Sequence, residues 1–380
     1  MNRLTTPPSH TAPVDEDLAE QANPGHGIPS QDPNAAAQTA LEPHEAEREA
    51  NSVLVGGGVV AGAATGAAIG VAVAGPVGIL VGATLGAVAG AMGGVAAGAA
   101  ANPEDSSSVD TAPDSVRLNI DDSGGGGRPV VLIHGWPLSA QAWEPQVSAL
   151  RAAGYRVVSY DRRGFGLSDK PESDYSYDTL ADDLHRVLDQ CGLHDVTLVG
   201  FSMGGGEVAR YIARHGESRL HSVVFAAAVP PYLMKTADNP DGPLTPEAAQ
   251  QMKKALELDR SAFFDQFTTN FFSANGALQV TESQRGDAIA LCQQSAQHAA
   301  LACMDSFGTT DFREDLKMVT VPTLVIHGEA DAIVPIEGSG QRTHDAVAHS
   351  QLVRVSGAPH GLNVSHAQAF NDALLSFLRD

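Results

Sequence analysis

Gly200-Phe201-Ser202-Met203-Gly204 lies between an apolar run, Val196-Thr197-Leu198-Val199, and a helix-patterned stretch that begins Gly205-Gly206-Glu207-Val208. A serine on so tight a strand-to-helix turn must be flanked by residues without side-chain bulk, because the backbone there is strained and closely packed. The same turn pushes the hydroxyl into the open, where it can attack a carbonyl. With 39 glycines in the chain, a five-residue match can arise by chance. Its weight rests on whether strand, helix, base, acid and oxyanion donors accompany it in workable places.

Strand and helix patterns alternate around this turn. Strands are predicted at Val130–Ile133, Arg156–Tyr160, Val196–Val199 and Leu220–Ala226, and again at Thr323–Ile326 and Leu352–Val355. Between them fall helical patterns at Ala140–Ala153, Tyr177–Gln190, Gly204–His215, Gly338–Ala346 and Ala367–Leu378. Such alternation implies an α/β fold, a mostly parallel sheet with helices on both faces. Residues 229–320 interrupt it with helical patterns only, Pro246–Leu258, Ser261–Phe272 and Glu282–Cys303, as expected of a helical cap over the carboxyl ends of the strands. The segment 128–380 is long enough for one large domain with a sizeable core.

The chain before it is of three kinds. Residues 1–50 carry two basic residues, Arg3 and Arg48, against nine acidic ones, and are rich in Pro and Ala. They cannot bury enough apolar surface to offset their ordering entropy, so a disordered acidic tail is expected. Residues 51–103 hold no charge, and glycine recurs every fourth position from Gly58 to Gly70 and from Gly78 to Gly98, on either side of Gly75-Pro76. Glycines four apart share one helix face and allow close helix–helix approach, the packing device of membrane helices. A Gly/Ala-rich helical hairpin is expected, with membrane contact or self-association through it; a flexible linker stays open as an alternative. The segment resembles the glycine-zipper hairpins of bacterial envelope proteins. Residues 104–127 form a linker ending in four glycines, with one candidate strand at Val116–Ile120.

A net charge of −22 without any Lys/Arg cluster argues against a nucleic-acid partner. Cys191, Cys292 and Cys303 lack metal-type spacing and read as reduced residues of an intracellular protein, and the first thirty residues lack the apolar core of a secretory signal. No metal or other cofactor is called for.

A serine hydroxyl needs a base within hydrogen-bond reach. In α/β hydrolases the order along the chain is Ser, then Asp or Glu, then His. The acid expected here is Asp331, in His327-Gly328-Glu329-Ala330-Asp331 just past a strand, with Glu329 as the fallback. Of the histidines that follow, His344 and His349 fall in or at the end of a helix pattern and His366 opens the last helix. His360, in the loop Gly357-Ala358-Pro359-His360-Gly361 just after a strand, is the expected general base. Backbone N–H groups of Met203 and Trp136 are the expected oxyanion donors, the second from the loop His134-Gly135-Trp136-Pro137. His134 is expected to brace that loop. An apolar substrate pocket is expected around Trp136, Phe201, Met203 and Pro137. Phe263, Phe264, Phe267, Phe271 and Phe272 are expected mainly in the cap core, with one or two reaching the pocket.

These motifs carry a resemblance. Val131-Leu132-Ile133-His134-Gly135-Trp136-Pro137-Leu138-Ser139, Tyr160-Asp161-Arg162-Arg163-Gly164-Phe165-Gly166 and Gly200-Phe201-Ser202-Met203-Gly204 resemble the corresponding stretches of the cofactor-free bacterial haloperoxidases, also called non-haem chloroperoxidases. The resemblance covers roughly 129–380 and implies an α/β-hydrolase fold with a Ser202–His360–Asp331 triad. It implies esterase activity on small acyl esters, and perhydrolysis, in which hydrogen peroxide replaces water in attack on the acyl-enzyme. Pro137 matches that family's loop proline. Two features depart from the pattern: the opening strand hairpin is reduced, so that edge of the sheet is expected to be short, and residues 1–115 have no counterpart. Dehalogenase and epoxide-hydrolase readings are disfavoured because those relatives carry aspartate at the elbow. A second class of reading is a membrane-tethered interaction or scaffold protein that retains an inactive hydrolase fold.

Overall fold

A computed structural model describes residues 116–379. The acidic tail, the Gly/Ala-rich hairpin and the first half of the linker lie outside the described residues. Nine strands occur among the described residues: β1 (Ile120–Asp122), β2 (Pro129–Ile133), β3 (Arg156–Tyr160), β4 (Val196–Phe201), β5 (Leu220–Ala226), β6 (Ser273–Ala274), β7 (Ala277–Leu278), β8 (Thr323–Gly328) and β9 (Gln351–Val355). The α-helices are α1 (Glu144–Ala152), α2 (Tyr177–Gln190), α3 (Met203–His215), α4 (Pro246–Leu258), α5 (Arg260–Phe272), α6 (Glu282–Gln293), α7 (Gln297–Thr309), α8 (Arg313–Leu316), α9 (Gly340–Ala346), α10 (Leu362–Ser365) and α11 (Ala367–Arg379).

Seven strands make one sheet in the order β1-β3-β2-β4-β5-β8-β9, all parallel except β1. β4 sits at its centre, where Leu198 is in register with Val131 of β2 and Val223 of β5. Every residue of β4 and β8 is buried, as is nearly all of β2 and β5. Strands buried on both sides require cover on both faces, which explains why they read as continuous apolar runs. Helices α2 and α3 pack together, with α3 against β4 and β5, while α11 packs with α1.

Glycine makes the central turn possible. A β-carbon at Gly200 would lie 2.5 Å from the Gly204 carbonyl oxygen, and one at Gly204 would lie 2.6 Å from the Ile133 carbonyl oxygen. Any larger residue would drive the elbow off the sheet.

The structure corrects several element boundaries. The first strand is Ile120–Asp122, not Val116–Ile120; it pairs antiparallel with β3, Ile120 opposite Tyr160. Only three residues long, it leaves this edge of the sheet short, as expected. The predicted single helix Glu282–Cys303 is two helices, broken at Gln294–Ala296. The cause lies far off in sequence: the Arg260 guanidinium donates to the carbonyls of Cys292 at 3.1 Å and Ser295 at 2.6 Å, while Ala296 N–H donates to the Gly164 carbonyl at 2.8 Å. Arg260 thereby satisfies the exposed carbonyls of the first helix. The stretch between β5 and β8 is not wholly helical, since β6 and β7 form a two-stranded hairpin within it. Among the described residues no helix is long and apolar enough to cross a membrane.

Candidate active site

Ser202 follows β4 directly, Asp331 lies just past β8 and His360 just past β9, so three parallel strands, with β5 between the first two, deliver their loops to one end of the sheet. Ser202 has φ of 53°, a left-handed conformation that non-glycine residues seldom adopt. It is held there by its N–H, which donates to Ala226 at 2.9 Å, and by its carbonyl, which accepts from Val229 N–H at 3.1 Å.

Ser202 occupies the N-cap position of α3, yet its hydroxyl makes no capping bond. The hydroxyl instead lies 2.9 Å from His360 Nε2. A serine at this position ordinarily satisfies a first-turn N–H. Turned away, it leaves those groups uncovered at the positive end of the helix. Among the hydrogen bonds of the described residues, neither the Met203 nor the Trp136 backbone N–H has a protein acceptor. Both donor groups are therefore free to meet developing negative charge.

His360 Nδ1 lies 2.7 Å from Asp331 Oδ2. Since that carboxylate can only accept, Nδ1 carries the proton and Nε2 faces Ser202 as an acceptor. The imidazole is fixed on two sides by aromatic rings, Phe201 at 5.2 Å and Phe271 at 5.1 Å between centroids. Asp331 Oδ1 accepts from the backbone N–H groups of Ile333 at 2.9 Å and Val334 at 2.8 Å. Burial by itself would raise the Asp331 carboxyl. The facing His360 and the hydrogen bonds from His327 and His360 outweigh it and hold the group well below the usual carboxylate range.

His327 is a site residue that the motif reading passed over. Fully buried at the end of β8, it places Nε2 2.8 Å from the Val334 carbonyl and 3.2 Å from Asp331 Oδ2, the oxygen that also serves His360. Its signal was its place in His327-Gly328-Glu329-Ala330-Asp331, four residues before the acid. Glu329, the fallback acid, is exposed. His344 pairs with Ser350, His349 with the Val321 carbonyl and His366 with Ser365, so none of the three belongs to this cluster.

The Trp136 loop meets the elbow closely: a β-carbon at Gly135 would lie 2.7 Å from the Phe201 ring and 3.1 Å from Ser202 Cβ. His134 braces this loop. Its Nε2 accepts from Arg162 N–H at 2.9 Å, its carbonyl accepts from the Arg162 guanidinium at 2.6 Å, and its Nδ1 faces the Gly135 carbonyl at 2.9 Å. Burial first and the Arg162 charge second push the imidazole well below its usual titration range, so it stays neutral. Arg162 in turn is paired with Glu207, one turn into α3, at 2.6 Å, and Glu207 accepts from Tyr160 Oη at 2.9 Å. This buried network connects the loop bearing Trp136 to the helix bearing Met203.

Ser202 and His360 open on a cavity of about 80 Å³ lined by Trp136, Val229, Leu233, Pro243, Leu244, Met252, Phe267, Phe307, Ile333 and Val334. Apart from Ser202 and His360, every lining side chain is apolar or aromatic. Of the five phenylalanines expected in the cap, Phe267 lines the cavity; Phe307 was missed. Phe201, Met203 and Pro137, expected in the pocket, are not among its lining residues. Phe201 is packed against Trp143, Phe271 and His360. Pro137 is buried, and Trp136 turns its indole toward the helical segment and donates from Nε1 to the Ala300 carbonyl at 3.0 Å. Among the described residues no group of three or more His, Cys, Asp or Glu side chains is placed to hold a metal ion.

Residues 128–367 match the family model described as alpha/beta hydrolase fold. The chain is 41% identical over 271 residues to the non-heme chloroperoxidase CPO-A1 of Kitasatospora aureofaciens, covering 70% of this chain and 98% of that protein. It is 37% identical to the bifunctional esterase/perhydrolase DCH of Acinetobacter calcoaceticus, covering 71% of this chain and 98% of that protein. Among solved structures, the bromoperoxidase from Bacillus anthracis is similar at 50% identity and a TM-score of 0.69, covering 71% of this chain and 98% of that one.

Proposed function

We propose that this chain, which belongs to the alpha/beta hydrolase family, cleaves small uncharged carboxylic esters through an acyl-enzyme on Ser202. The observation that carries the reading is the unbroken line Ser202 Oγ–His360 Nε2–His360 Nδ1–Asp331 Oδ2, at 2.9 and 2.7 Å, facing an apolar cavity. In this mechanism Ser202 Oγ attacks the ester carbonyl as His360 Nε2 takes its proton, and Asp331 holds the tautomer and stabilises the imidazolium. The carbonyl oxygen becomes an oxyanion between the N–H groups of Trp136 and Met203. His360 returns the proton to the departing alcohol, and water then repeats the attack on the acyl group. Residues 229–320 act as a cap that keeps bulk water from the site.

Perhydrolysis uses the same acyl-enzyme. Hydrogen peroxide attacks its carbonyl, the bond to Ser202 Oγ breaks, and the products are a peracid and the free serine. Support comes from the relative named as a bifunctional esterase/perhydrolase and from Pro137 following Trp136 in the oxyanion loop. No resident cofactor enters either step.

Turnover of short-chain aryl esters, with and without hydrogen peroxide and bromide, tests both halves. Ser202→Ala should abolish ester cleavage and peroxide-dependent bromination together. Unchanged turnover in that variant would exclude the mechanism. A scaffold reading is disfavoured by the completeness of the hydrogen-bonded line. For residues 51–103 we propose membrane contact or self-association of an intracellular enzyme through the glycine stripe; a full-length chain that stays monodisperse in the aqueous fraction would count against it.

A further inference from the structure

The wall of the cavity is built by a turn whose shape is set from outside it. Leu233, Pro243 and Leu244 line the cavity, and all three come from the connection between β5 and α4. Leu244 N–H donates to the Leu233 carbonyl at 2.9 Å and Lys235 N–H to the Leu244 carbonyl at 2.8 Å, so the two ends of the turn are stitched together. The turn between them encloses one side chain, Asn239, which is 1% exposed.

Asn239 uses its whole amide. Nδ2 donates to the carbonyls of Met234 at 2.6 Å and Tyr232 at 3.1 Å, and Oδ1 accepts from Arg342 Nη2 of α9 at 2.6 Å. The fit is tight, since a β-carbon at Gly242 would lie 2.5 Å from the Met234 carbonyl and 2.6 Å from Asn239 Nδ2. Outer ties hold the same turn to the body of the protein. Arg313 of α8 donates to the Asp238 carbonyl and carboxylate at 2.9 and 2.7 Å, and Thr343 donates to the Pro230 carbonyl at 2.8 Å. Neither Asn239 nor Arg342 lines the cavity.

We propose that Asn239, anchored by Arg342, is a positioning residue that determines which ester chain lengths the enzyme accepts. An asparagine with its donor and acceptor both committed fixes the turn in one geometry, and losing it leaves two part-buried carbonyls without their donor and Arg342 Nη2 without its acceptor, while Arg342 Nη1 keeps only the Gly338 carbonyl at 3.3 Å. The released turn recedes, carrying Leu233 and Leu244 outward, and the cavity lengthens. Each methylene that a hydrophobic pocket newly admits changes specificity measurably, about tenfold or more. The inference rests on the esterase reading above.

The test compares kcat/KM of the full-length protein on p-nitrophenyl acetate and hexanoate, and on methyl and hexyl acetate, for Asn239→Ala, Arg342→Met and the direct wall variant Leu244→Ala. Thermal stability is measured alongside. The expected result is a rise of about tenfold in the long-to-short ratio, in one of the two series, for Asn239→Ala and Leu244→Ala. Arg342→Met should show a smaller rise in the same series, a pattern that general loss of stability does not produce. Ratios unchanged in Asn239→Ala and Arg342→Met, with turnover still dependent on Ser202, would overturn the proposal. Should Asn239→Ala not fold, Arg342→Met decides alone. Turnover that survives Ser202→Ala would instead remove the reading on which the proposal rests.

Discussion

Two imidazoles share one oxygen of Asp331, and this sharing governs what single substitutions at the site should do. Loss of the imidazole in His327→Phe leaves Ser202, His360 and Asp331 in place but removes an N–H that is bonded to the Val334 carbonyl at 2.8 Å and lies 3.2 Å from the buried carboxylate. Full hydrogen bonds to charged groups contribute about 1.5–3 kcal/mol and this longer contact less, so kcat/KM should fall by up to about tenfold. An unchanged value on a short aryl ester would show that His327 is inert. The Asp331 carboxyl is depressed in the folded protein, so its stabilisation is present above the unfolded carboxylate value of about 3.9 and is lost as pH falls through the lower folded value. Urea midpoints of the wild type should therefore exceed those of Asp331→Asn by a constant margin from about pH 5 to 8, shrinking only below about pH 4. A margin already shrinking between pH 5 and 7 would contradict this assignment. At this scale the sequence was most legible: chain order and position after strands single out Ser202, Asp331 and His360. His327 was hidden because order rules identify one base and say nothing of a second imidazole behind the acid.

The elbow helix α3 works through what it does not bond as much as through what it does. Its N-cap serine forgoes capping, and its Glu207 closes the Arg162–His134 network that supports the opposite loop, which bears Trp136. A fully buried pair of this kind is costly to break on one side. Arg162→Met should lower the unfolding free energy by about 3–5 kcal/mol in urea titrations, and adding Glu207→Leu should restore a large part of that loss. A double variant no more stable than the single one would show that the network matters for more than charge compensation. Strand and helix positions were mostly readable from apolar period. What failed to show was any element decided by a distant group: the Glu282–Cys303 pattern is continuous in sequence, and only the Arg260 guanidinium, folded against Phe264 at 4.6 Å, reveals why it breaks. The pocket wall is hidden for the same reason, since Asn239 reads as an ordinary turn residue until Arg342 is seen to meet it.

Across the whole molecule, residues 114–380 form a compact unit, and the relatives described above align with it over nearly their full lengths. Ser202, His360 and Asp331, the network behind them and the cavity wall all belong to this unit. Removing residues 1–113 should therefore leave kcat/KM on a short aryl ester within about twofold of the full chain, because a domain with its own core keeps its own site. A collapse of activity in a folded truncated protein would assign the preceding segment a part in the site. The most direct test of the central claim is labelling of the folded full-length protein with a fluorophosphonate, followed by mapping of the adduct by peptide mass spectrometry. The account predicts a single stoichiometric adduct on Ser202 that vanishes in Ser202→Ala and weakens strongly in His360→Ala. A folded protein that takes no label, or takes it elsewhere, would contradict it.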